Sequence, residues 1–583
     1  MSKLTVWAPE AKAVTCHVRP AQPGIDATAA PMVRSDDGWW IGPVASAGDD
    51  YAFEVDGKGP FPDPRSAWQP RGVHGFSRCF DAGQFAWTDA GWAGRDARGA
   101  VTYELHIGTF TPAGTLDAIV GRHLKDLAAR GIEMIELMPV AAFPGSRGWG
   151  YDGVSLYAVH EAYGGPGALQ RFVDAAHAEG VAVCLDVVYN HLGPDGNYLG
   201  QFGPYFTDAH ETPWGWAVNL DQPGSQGMRS FIVDNALRWC EDFHIDALRL
   251  DAVHALVDDS PTHLLAELSQ RTAELAGRLG RPLSLVAESD LNQPQMVTPV
   301  AEGGLGMTAQ WADDVHHALH SYLTGETHGY YADFGSLETL DKAYRKVFVH
   351  DGGMSSFRGK TWGAPVPDDM DRQRFVVFAS NHDQVGNRAL GDRPSSSLSP
   401  GAQAASLALI LLSPFTPMLF MGEEYGETRP FMFFTDHDEP LGSAVSAGRM
   451  SEFAGHGWEA LYGGHVDVPD PQDRQTFLRS KVGPGLGSTG AQQTAIREWM
   501  SHVIRARRLT LRDGAWTRHP VSLSEAGPRQ VTMSGPVAVH ANLSDAPMQV
   551  HGTPVAAFGK VTELGDGFTL PPDSVALVAL EED

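Results

Sequence analysis

Two patterns of hydrophobic and polar positions divide this chain of 583 residues into successive parts. In the N-terminal part apolar and polar residues alternate, for example at 14–18 and 51–55, as is typical of strands with one buried face. From about residue 100, apolar runs of strand length alternate with stretches of helical spacing. After about residue 510, β-branched apolar runs return between turn residues. The pattern predicts an α/β protein with a small β-sandwich at each end.

The central part contains eight strand candidates with helices between them. This regular alternation predicts a parallel sheet, and eight units predict a closed (β/α)8 TIM barrel. Gly131, Gly180 and Gly280 each follow a stretch of helical spacing and mark its end. Helices are predicted at 116–130, 168–179, 231–243, 264–279 and 491–508. Barrel strands are predicted at 101–106, 132–140, 181–188, 245–250, 283–287, 308–311, 375–380 and 417–421.

Domain boundaries follow from these changes of pattern. We predict an N-terminal β-sandwich at 1–92, immunoglobulin-like and similar to a carbohydrate-binding module, the barrel at 93–509, and a C-terminal β-sandwich at 510–583. A short insertion is expected after the third barrel strand, at 192–230. Residues 59–70 contain four prolines, which exclude a helix or an inner strand, so this passage is interpreted as an ordered strap.

Composition narrows the possible partners and compartments. The formal net charge of −28 argues against nucleic acid and anionic membranes as partners. The four cysteines are far apart without CxxC spacing, and Cys184 lies in an apolar run, so it is interpreted as a core residue. The sequence shows neither the apolar core of a signal peptide nor a run of about 18 apolar residues. We therefore expect a cytoplasmic protein.

Polar residues gather where four of the predicted barrel strands end. They occupy the segments 186–191, 246–254, 287–290 and 381–388. The carboxyl ends of barrel strands share one face of the fold, so side chains that follow them converge there. Three carboxylates from three strands, Asp251, Glu288 and Asp383, are thereby predicted to face one another.

Converging carboxylates are the groups that glycoside hydrolysis requires. One carboxylic acid protonates the leaving oxygen, and a carboxylate acts on the other face of the sugar. Arg249 lies two residues before Asp251, on the same side of the strand, where its guanidinium would keep Asp251 ionised. Glu288 has no basic neighbour in the sequence and is the better candidate for the protonated acid.

Histidine and aromatic side chains complete the candidate site. His191 and His382 are predicted to bond sugar hydroxyls, and Trp149 and Tyr151 to offer an aromatic face to a sugar ring. Each of these residues alone has an ordinary structural interpretation, as a satisfied histidine or a core aromatic. Asp186 is interpreted as structural, bonding its neighbours behind the site. Three carboxylates at three strand ends favour the functional interpretation of the whole set.

Two other kinds of site are only weakly indicated. Residues 485–490 fit a dinucleotide-binding fingerprint, but Pro484 precedes them and no strand leads into them. His191, His254 and His382 lie on separate strands, without the spacing of paired zinc ligands. We therefore expect no cofactor and no metal.

At the four polar segments the chain resembles the α-amylase superfamily of glycoside hydrolases. The resemblance implies a retaining mechanism, with Asp251 as nucleophile, Glu288 as general acid/base and Asp383 as transition-state stabiliser. Retention requires the first two carboxyl groups to lie about 5–5.5 Å apart. The resemblance also implies which residues hold the reacting sugar: Arg249, His191, His382 and, as its aromatic platform, Tyr151.

Longer passages resemble a branch of this superfamily that acts on maltooligosyltrehalose. They are 63–65, 69–75, 138–140, 143–145, 149–153, 251–255, 381–388 and 433–437. The branch hydrolyses the α-1,4-glucosidic bond next to the terminal trehalose unit and releases trehalose and a maltooligosaccharide. The implied substrates are α-1,4-glucan oligosaccharides, and the implied pathway partner is a maltooligosyltrehalose synthase.

Two alternatives stay open at this point. A glycogen branching or debranching enzyme of the same superfamily would make or cleave α-1,6 branches. A non-catalytic glycan-binding barrel would be expected to lose one or more of the three carboxylates, all of which are present. Asp152, His254 and Gln384 adjoin the catalytic set and are candidates for contacts with the trehalose end. Many amylases bind calcium beside the insertion after the third strand, but Asp208 and Asp221 are the few acids there, so calcium is not predicted.

Overall fold

A computed structural model describes residues 2–22, 24–453, 461–462, 464–483, 490–511 and 520–579. Its centre is a closed barrel of eight strands in which each strand pairs in parallel with the next and the eighth pairs with the first. Each strand overlaps its predicted segment, so the prediction of a TIM barrel is confirmed. The barrel strands are Thr102–Leu105, Met134–Leu137, Ala182–Val187, Ala247–Leu250, Ser284–Ala287, Ala309–Trp311, Phe375–Phe378 and Thr416–Phe420.

Helices connect most of the barrel strands. The helix predicted at 264–279 has the predicted bounds, and the one predicted at 231–243 begins six residues earlier, at Ser225. The longer helices are Arg122–Arg130, Gly165–Ala178, Ser225–Asp242, Leu264–Leu279, Asp313–Thr324, Leu337–Lys346, Pro400–Leu411, Leu441–Phe453 and Ala491–Leu511. The shorter helices are Ile107–Phe110, Leu116–Ile119, His382–Gly386 and Arg474–Arg479.

Two connections differ from the predicted pattern. The helix predicted at 116–130 is two helices, because Gly121 has a φ of 84° and cannot continue a right-handed helix. Residues 288–308, all of which are described, contain no α-helix; they form the 3-10 turns Pro294–Met296 and Val300–Glu302. Prolines at 294 and 299 withhold backbone N–H groups there, which prevents a longer helix.

Antiparallel sheets lie at both ends of the chain. Lys58–Phe61, which begins the proline-rich strap, is an outer strand, as its prolines require. The N-terminal sheets contain Ser2–Trp7, Trp39–Ala45 and Val33–Arg34 in one, and Thr28–Pro31, Val14–Arg19, Asp50–Val55, Lys58–Phe61 and Ser77–Arg78 in the other. The C-terminal sheets contain Ser522–Gly527, Gln530–Ser534, Val537–Asn542, Ser574–Ala579 and Pro554–Phe558 in one, and Met548–His551, Gly567–Leu570 and Thr562–Leu564 in the other.

One buried apolar cluster runs from Leu4 through the barrel layers to Leu577, so the flanking sheets share a core with the barrel. The domain boundaries at 92 and 509 therefore stay a prediction. Cys184 is buried inside the barrel, as expected for a core residue. Residues 485–489 of the glycine-rich segment lie outside the described residues. No described helix combines the length and the apolarity that crossing a membrane requires.

Candidate active site

Arg249 is the centre of a charged network at the carboxyl end of the barrel. Its side chain is completely buried, and Nη1 donates to Asp186 Oδ1 and Oδ2 at 2.9 and 2.8 Å. The same nitrogen donates to Asp251 Oδ1 at 2.9 Å. Asp186 and Arg249 are partners on neighbouring strands, and residues two apart on one strand share a face. The predicted contact of Arg249 with Asp251 is confirmed, and Asp186 lies behind the site as predicted.

Trp311, at the end of the sixth strand, covers the other side of this guanidinium. The central carbon of the Arg249 guanidinium lies 4.2 Å from the centre of the Trp311 ring, close enough for cation–π attraction. Trp311 was not predicted as a site residue, because a tryptophan in a predicted barrel strand has the pattern of a core residue.

Asp251 and Glu288 lie against different nitrogens of the same guanidinium. Arg249 Nη2 is 3.3 Å from Glu288 Oε2, so the fold gives Glu288 a basic neighbour that it lacks along the sequence. Glu288 Oε2 also accepts a hydrogen bond from the Ala252 N–H at 2.5 Å. Ala252 has a φ of 38°, which is uncommon for a residue with a Cβ and stores strain directly after Asp251. The hydrogen bond from Ala252 to Glu288 thus joins the ends of the fourth and fifth strands.

Glu288 has the electrostatics of a general acid. Burial raises its pKa to about 8; the Arg249 charge opposes this effect, and the negative charges of Asp251 and Asp383 add to it. Burial therefore outweighs the guanidinium, because desolvation penalises the charged carboxylate. The shift favours the protonated acid at neutral pH, the state that a general acid requires.

Asn190 holds the second oxygen of Asp251, and His191 contacts Asn190. Asn190 Nδ2 donates to Asp251 Oδ2 at 2.9 Å and to the Asp251 carbonyl at 2.8 Å. His191 Nδ1 lies 2.5 Å from Asn190 Oδ1, and its ring stacks on Trp214 with 4.3 Å between ring centres. Trp214 is half-exposed at the tip of the hairpin formed by Phe206–Thr212 and Gly215–Val218. The sequence gives no signal that this insertion folds over the site.

His382 lies between two carboxylates and is completely buried. Its Nδ1 is 2.5 Å from Glu104 Oε1, and its Nε2 is 3.5 Å from Asp383 Oδ2. Burial alone would lower the pKa of His382, but the charges of Asp383 and Glu104 outweigh it and raise this pKa to about 9. The shift favours an imidazolium at neutral pH, the form of histidine that donates from both nitrogens.

Tyr151 joins His382 to the network of Arg249. Its hydroxyl is 2.7 Å from His382 Nε2 and 2.6 Å from Asp186 Oδ2. The two rings also stack, with 5.2 Å between their centres. Tyr151 thus lies among the residues of the site, where a sugar platform is expected.

Trp149 has a different position from the one expected. Its side chain is only 5% exposed, its Nε1 donates to the Met432 carbonyl at 3.0 Å, and its ring stacks on Phe431. A Cβ at Gly386 would lie 2.1 Å from this ring, so the glycine makes room for it under the loop after the seventh strand. Trp149 supports that loop from below and has little surface to offer a sugar, which corrects the prediction.

Asp383 reaches the site from a capped turn. Asn381 Oδ1 accepts from the Gln384 N–H at 2.7 Å and caps the short helix His382–Gly386. Asp383 Oδ1 accepts from Asn387 Nδ2 at 3.0 Å, and the Asp383 side chain is 37% exposed. The predicted convergence of Asp251, Glu288 and Asp383 is therefore present, with Asp383 the most open of the three.

The three candidates for the trehalose end contact residues other than Arg249. Asp152 Oδ2 is 3.3 Å from His437 Nε2. His254 is exposed, and its Nδ1 is 3.5 Å from the backbone nitrogen of Asp290. The side chain of Gln384 is half-buried in the first turn of its helix. Their contacts with substrate stay a prediction.

One group of described residues brings three possible metal ligands together: His210 and Asp221 of the insertion, and Asp259 after the fourth barrel strand. The Asp221 carboxylate accepts from His210 Nε2 at 2.8 Å, from the Asp259 N–H at 3.0 Å and from Gln222 Nε2 at 2.8 Å. These donors satisfy Asp221 without an ion. Asn190 contacts Asp251 through its amide nitrogen, and its Oδ1 lies 2.5 Å from His191 Nδ1.

Fold and site together define a class of protein. A closed eight-stranded parallel barrel with three carboxylates at its carboxyl end is the arrangement of the α-amylase class of glycoside hydrolases, and the family described as Alpha amylase, catalytic domain, matches residues 84–221. The chain is 50% identical to the malto-oligosyltrehalose trehalohydrolase of Arthrobacter ramosus, over 99% of this chain and 100% of that protein. The chain belongs to the malto-oligosyltrehalose trehalohydrolase family.

Other comparisons agree with this assignment. A crystal structure of an α-amylase-like protein from Salmonella typhimurium is 35% identical and superposes with a TM-score of 0.86, covering 99% of this chain and 97% of that one. The 1,4-alpha-glucan branching enzyme of Corynebacterium jeikeium is 28% identical, over 73% of this chain and 61% of that enzyme. The similarity to branching enzymes is therefore lower and less extensive.

Proposed function

We propose that this protein is a retaining glycoside hydrolase that cleaves the α-1,4-glucosidic bond next to the terminal trehalose unit of maltooligosyltrehalose. The observation that carries the proposal is the shared guanidinium of Arg249, which holds Asp251 and Glu288 side by side. One carboxylate is paired and available as nucleophile, while burial keeps the other protonated. Near full-length identity to a trehalohydrolase supports the choice of substrate.

Each carboxyl group has one role in the proposed reaction. Asp251 attacks the anomeric carbon while Glu288 donates its proton to the glycosidic oxygen, so the bond to trehalose breaks and a glycosyl ester forms on Asp251. Glu288, now a carboxylate, takes a proton from water, which attacks the ester and releases the maltooligosaccharide. Asp383 binds the hydroxyls of the distorted ring, and its open side chain supports that role.

The residues around Asp251 prepare it for attack. Arg249 and Asn190 each bond one of its oxygens, which fixes the orientation of the carboxylate and leaves its charge compensated in a buried site. His191, Tyr151 and His382 surround the place where the reacting sugar is proposed to bind. A maltooligosyltrehalose synthase, which builds the trehalose end, is the proposed pathway partner.

Analysis of products tests the proposed substrate. We expect the protein to release trehalose from maltooligosyltrehalose and to form glucose or maltose from plain maltooligosaccharide much more slowly, because the trehalose unit contributes binding energy to the transition state. Chromatography of timed samples measures both rates. New or cleaved α-1,6 branches in a glucan would instead support the branching or debranching alternative, and absence of any turnover would support a glycan-binding barrel.

The pKa of Glu288 predicts the alkaline limb of activity. Glu288 acts in its protonated form, and its pKa is raised to about 8, so the active form is lost as pH rises through that value. We expect kcat/KM to be level near neutral pH and to fall about tenfold per pH unit above pH 8. Initial rates in buffers of constant ionic strength measure the limb. A decline that begins near pH 5 would contradict the assignment of Glu288 as the acid.

A further inference from the structure

Glu104, in the first barrel strand, is a buried carboxylate that the proposed reaction does not use. We propose that Glu104 is a positioning residue that clamps His382 at two points, keeps its ring doubly protonated and thereby places Asp383 for catalysis. The proposal rests on the proposed function for its effect on turnover. The clamp itself is a property of the folded protein and can be measured without substrate.

The clamp uses both oxygens of Glu104. Oε1 accepts from His382 Nδ1 at 2.5 Å, and Oε2 accepts from the backbone N–H of His382 at 2.9 Å. The first contact fixes the ring, and the second fixes the first residue of the short helix that carries Asp383. Charge-assisted hydrogen bonds of this kind are short and strong, and here they join the first strand to the loop after the seventh.

With an ionised Glu104, the hydrogen bonds beyond the ring favour the doubly protonated form. The Tyr151 hydroxyl has one proton, which it donates to Asp186 Oδ2 at 2.6 Å. Its oxygen then accepts from His382 Nε2 at 2.7 Å. In a neutral ring that donates to Glu104 from Nδ1, Nε2 would be an acceptor, and the single Tyr151 proton would face two acceptors. Protonation of both nitrogens leaves each contact with one donor and one acceptor.

Glu104 is also the neighbouring group that can carry the negative charge opposite the His382 imidazolium. Its neighbour Glu136, on the second strand, has no hydrogen bond to His382, and burial raises the pKa of Glu136 to about 8, which favours its neutral form. Burial lowers the pKa of His106 to about 3, so it adds no positive charge. The titratable and charged groups that face His382 from the elements around it are Glu104, His106, Glu136, Tyr151, Asp186, Arg249 and Asp383.

The imidazolium matters because carboxylates outnumber cations in this part of the barrel. A neutral His382 would leave Asp383 without its nearest positive charge, at 3.5 Å. Asp383 would then lose the charged partner that orients its carboxylate for catalysis. Glu104 thus acts on the reaction through His382 and does not touch the substrate.

Two isosteric variants test the clamp: Glu104→Gln, and Glu136→Gln as the matched control. With 15N-labelled histidine, we expect an imidazolium signal of His382 that persists to pH 8 in the wild type and in E136Q. The signal is assigned by its absence in His382→Asn. In E104Q this signal should convert to neutral imidazole about one to three pH units lower, since a contacting carboxylate shifts a pKa by that amount.

Kinetics give the second readout. We expect E104Q to lose about 100-fold in kcat at pH 7.5, with a smaller change in KM, and Glu104→Asp, which keeps the charge, to recover part of the loss. E136Q should retain the wild-type pH profile. A neutral His382 in the wild type at pH 7.5 would overturn the proposal without any variant, and so would an unchanged His382 titration in folded E104Q. If the wild type releases no trehalose, the proposed function fails, while the titration still decides on the clamp.

Discussion

Asp251→Asn is expected to lower kcat on maltooligosyltrehalose by about 10⁴-fold or more, since an amide cannot form the glycosyl ester. The fold should be retained, because the amide has the shape of the carboxylate and Arg249 keeps its contacts with Asp186. Trehalose release per enzyme, measured at saturating substrate, gives the loss. Thermal unfolding, followed by circular dichroism, shows whether the variant is folded.

Asp208→Asn is the matched control for this variant. Asp208 is an exposed acid on the hairpin of the insertion, so the same chemical change there should leave kcat within a factor of about two. Activity of Asp251→Asn within tenfold of the wild type would exclude Asp251 as the nucleophile.

Glu288→Gln is expected to lower kcat on maltooligosyltrehalose by about 10²–10⁴-fold, because the leaving oxygen no longer receives a proton. The alkaline limb above pH 8 should disappear in this variant, since the group that titrates there is gone.

A substrate whose leaving group needs no proton distinguishes the roles of the two carboxyl groups. With α-maltotriosyl fluoride, the release of fluoride in the first turnover should stay near the wild-type rate in E288Q.

The same fluoride substrate should give no first turnover in Asp251→Asn, because that variant lacks the nucleophile for either leaving group. A fluoride-selective electrode measures the release of fluoride by both variants. Loss of fluoride release in E288Q and its retention in D251N would reverse the assignment of the two residues.

Much of the site was predictable because barrel strands deliver the residues that follow them to one face. Asp251, Glu288 and Asp383 each follow an apolar run of strand length, so their convergence follows from periodicity and chain order. The pairing of Arg249 with Asp251 follows from the two-residue repeat of a strand. A resemblance to the α-amylase superfamily supplied the distinct roles, which periodicity does not contain.

Other contacts were missed because they depend on how separate strands are placed around the barrel. Glu104 lies in the middle of an apolar strand, where no sequence pattern relates it to His382, 278 positions away. Trp311 lies in a predicted strand and Trp214 in a loop, so neither stands out in the sequence as a site residue. Nevertheless, Trp311 covers Arg249, and Trp214 stacks on His191. Trp149 was expected at the sugar, but tertiary packing places it below the loop.

The sequence by itself determined the barrel, its eight strands and the carboxylates at their ends, because hydrophobic periodicity and strand direction are local properties of the chain. It did not determine the ionisation of those groups. Burial favours a protonated Glu288 although a guanidinium lies 3.3 Å away, and neighbouring charges favour a protonated His382 although it is buried. Only the tertiary structure decided both states, because burial and the charges of distant strands act on a pKa through space and not along the chain.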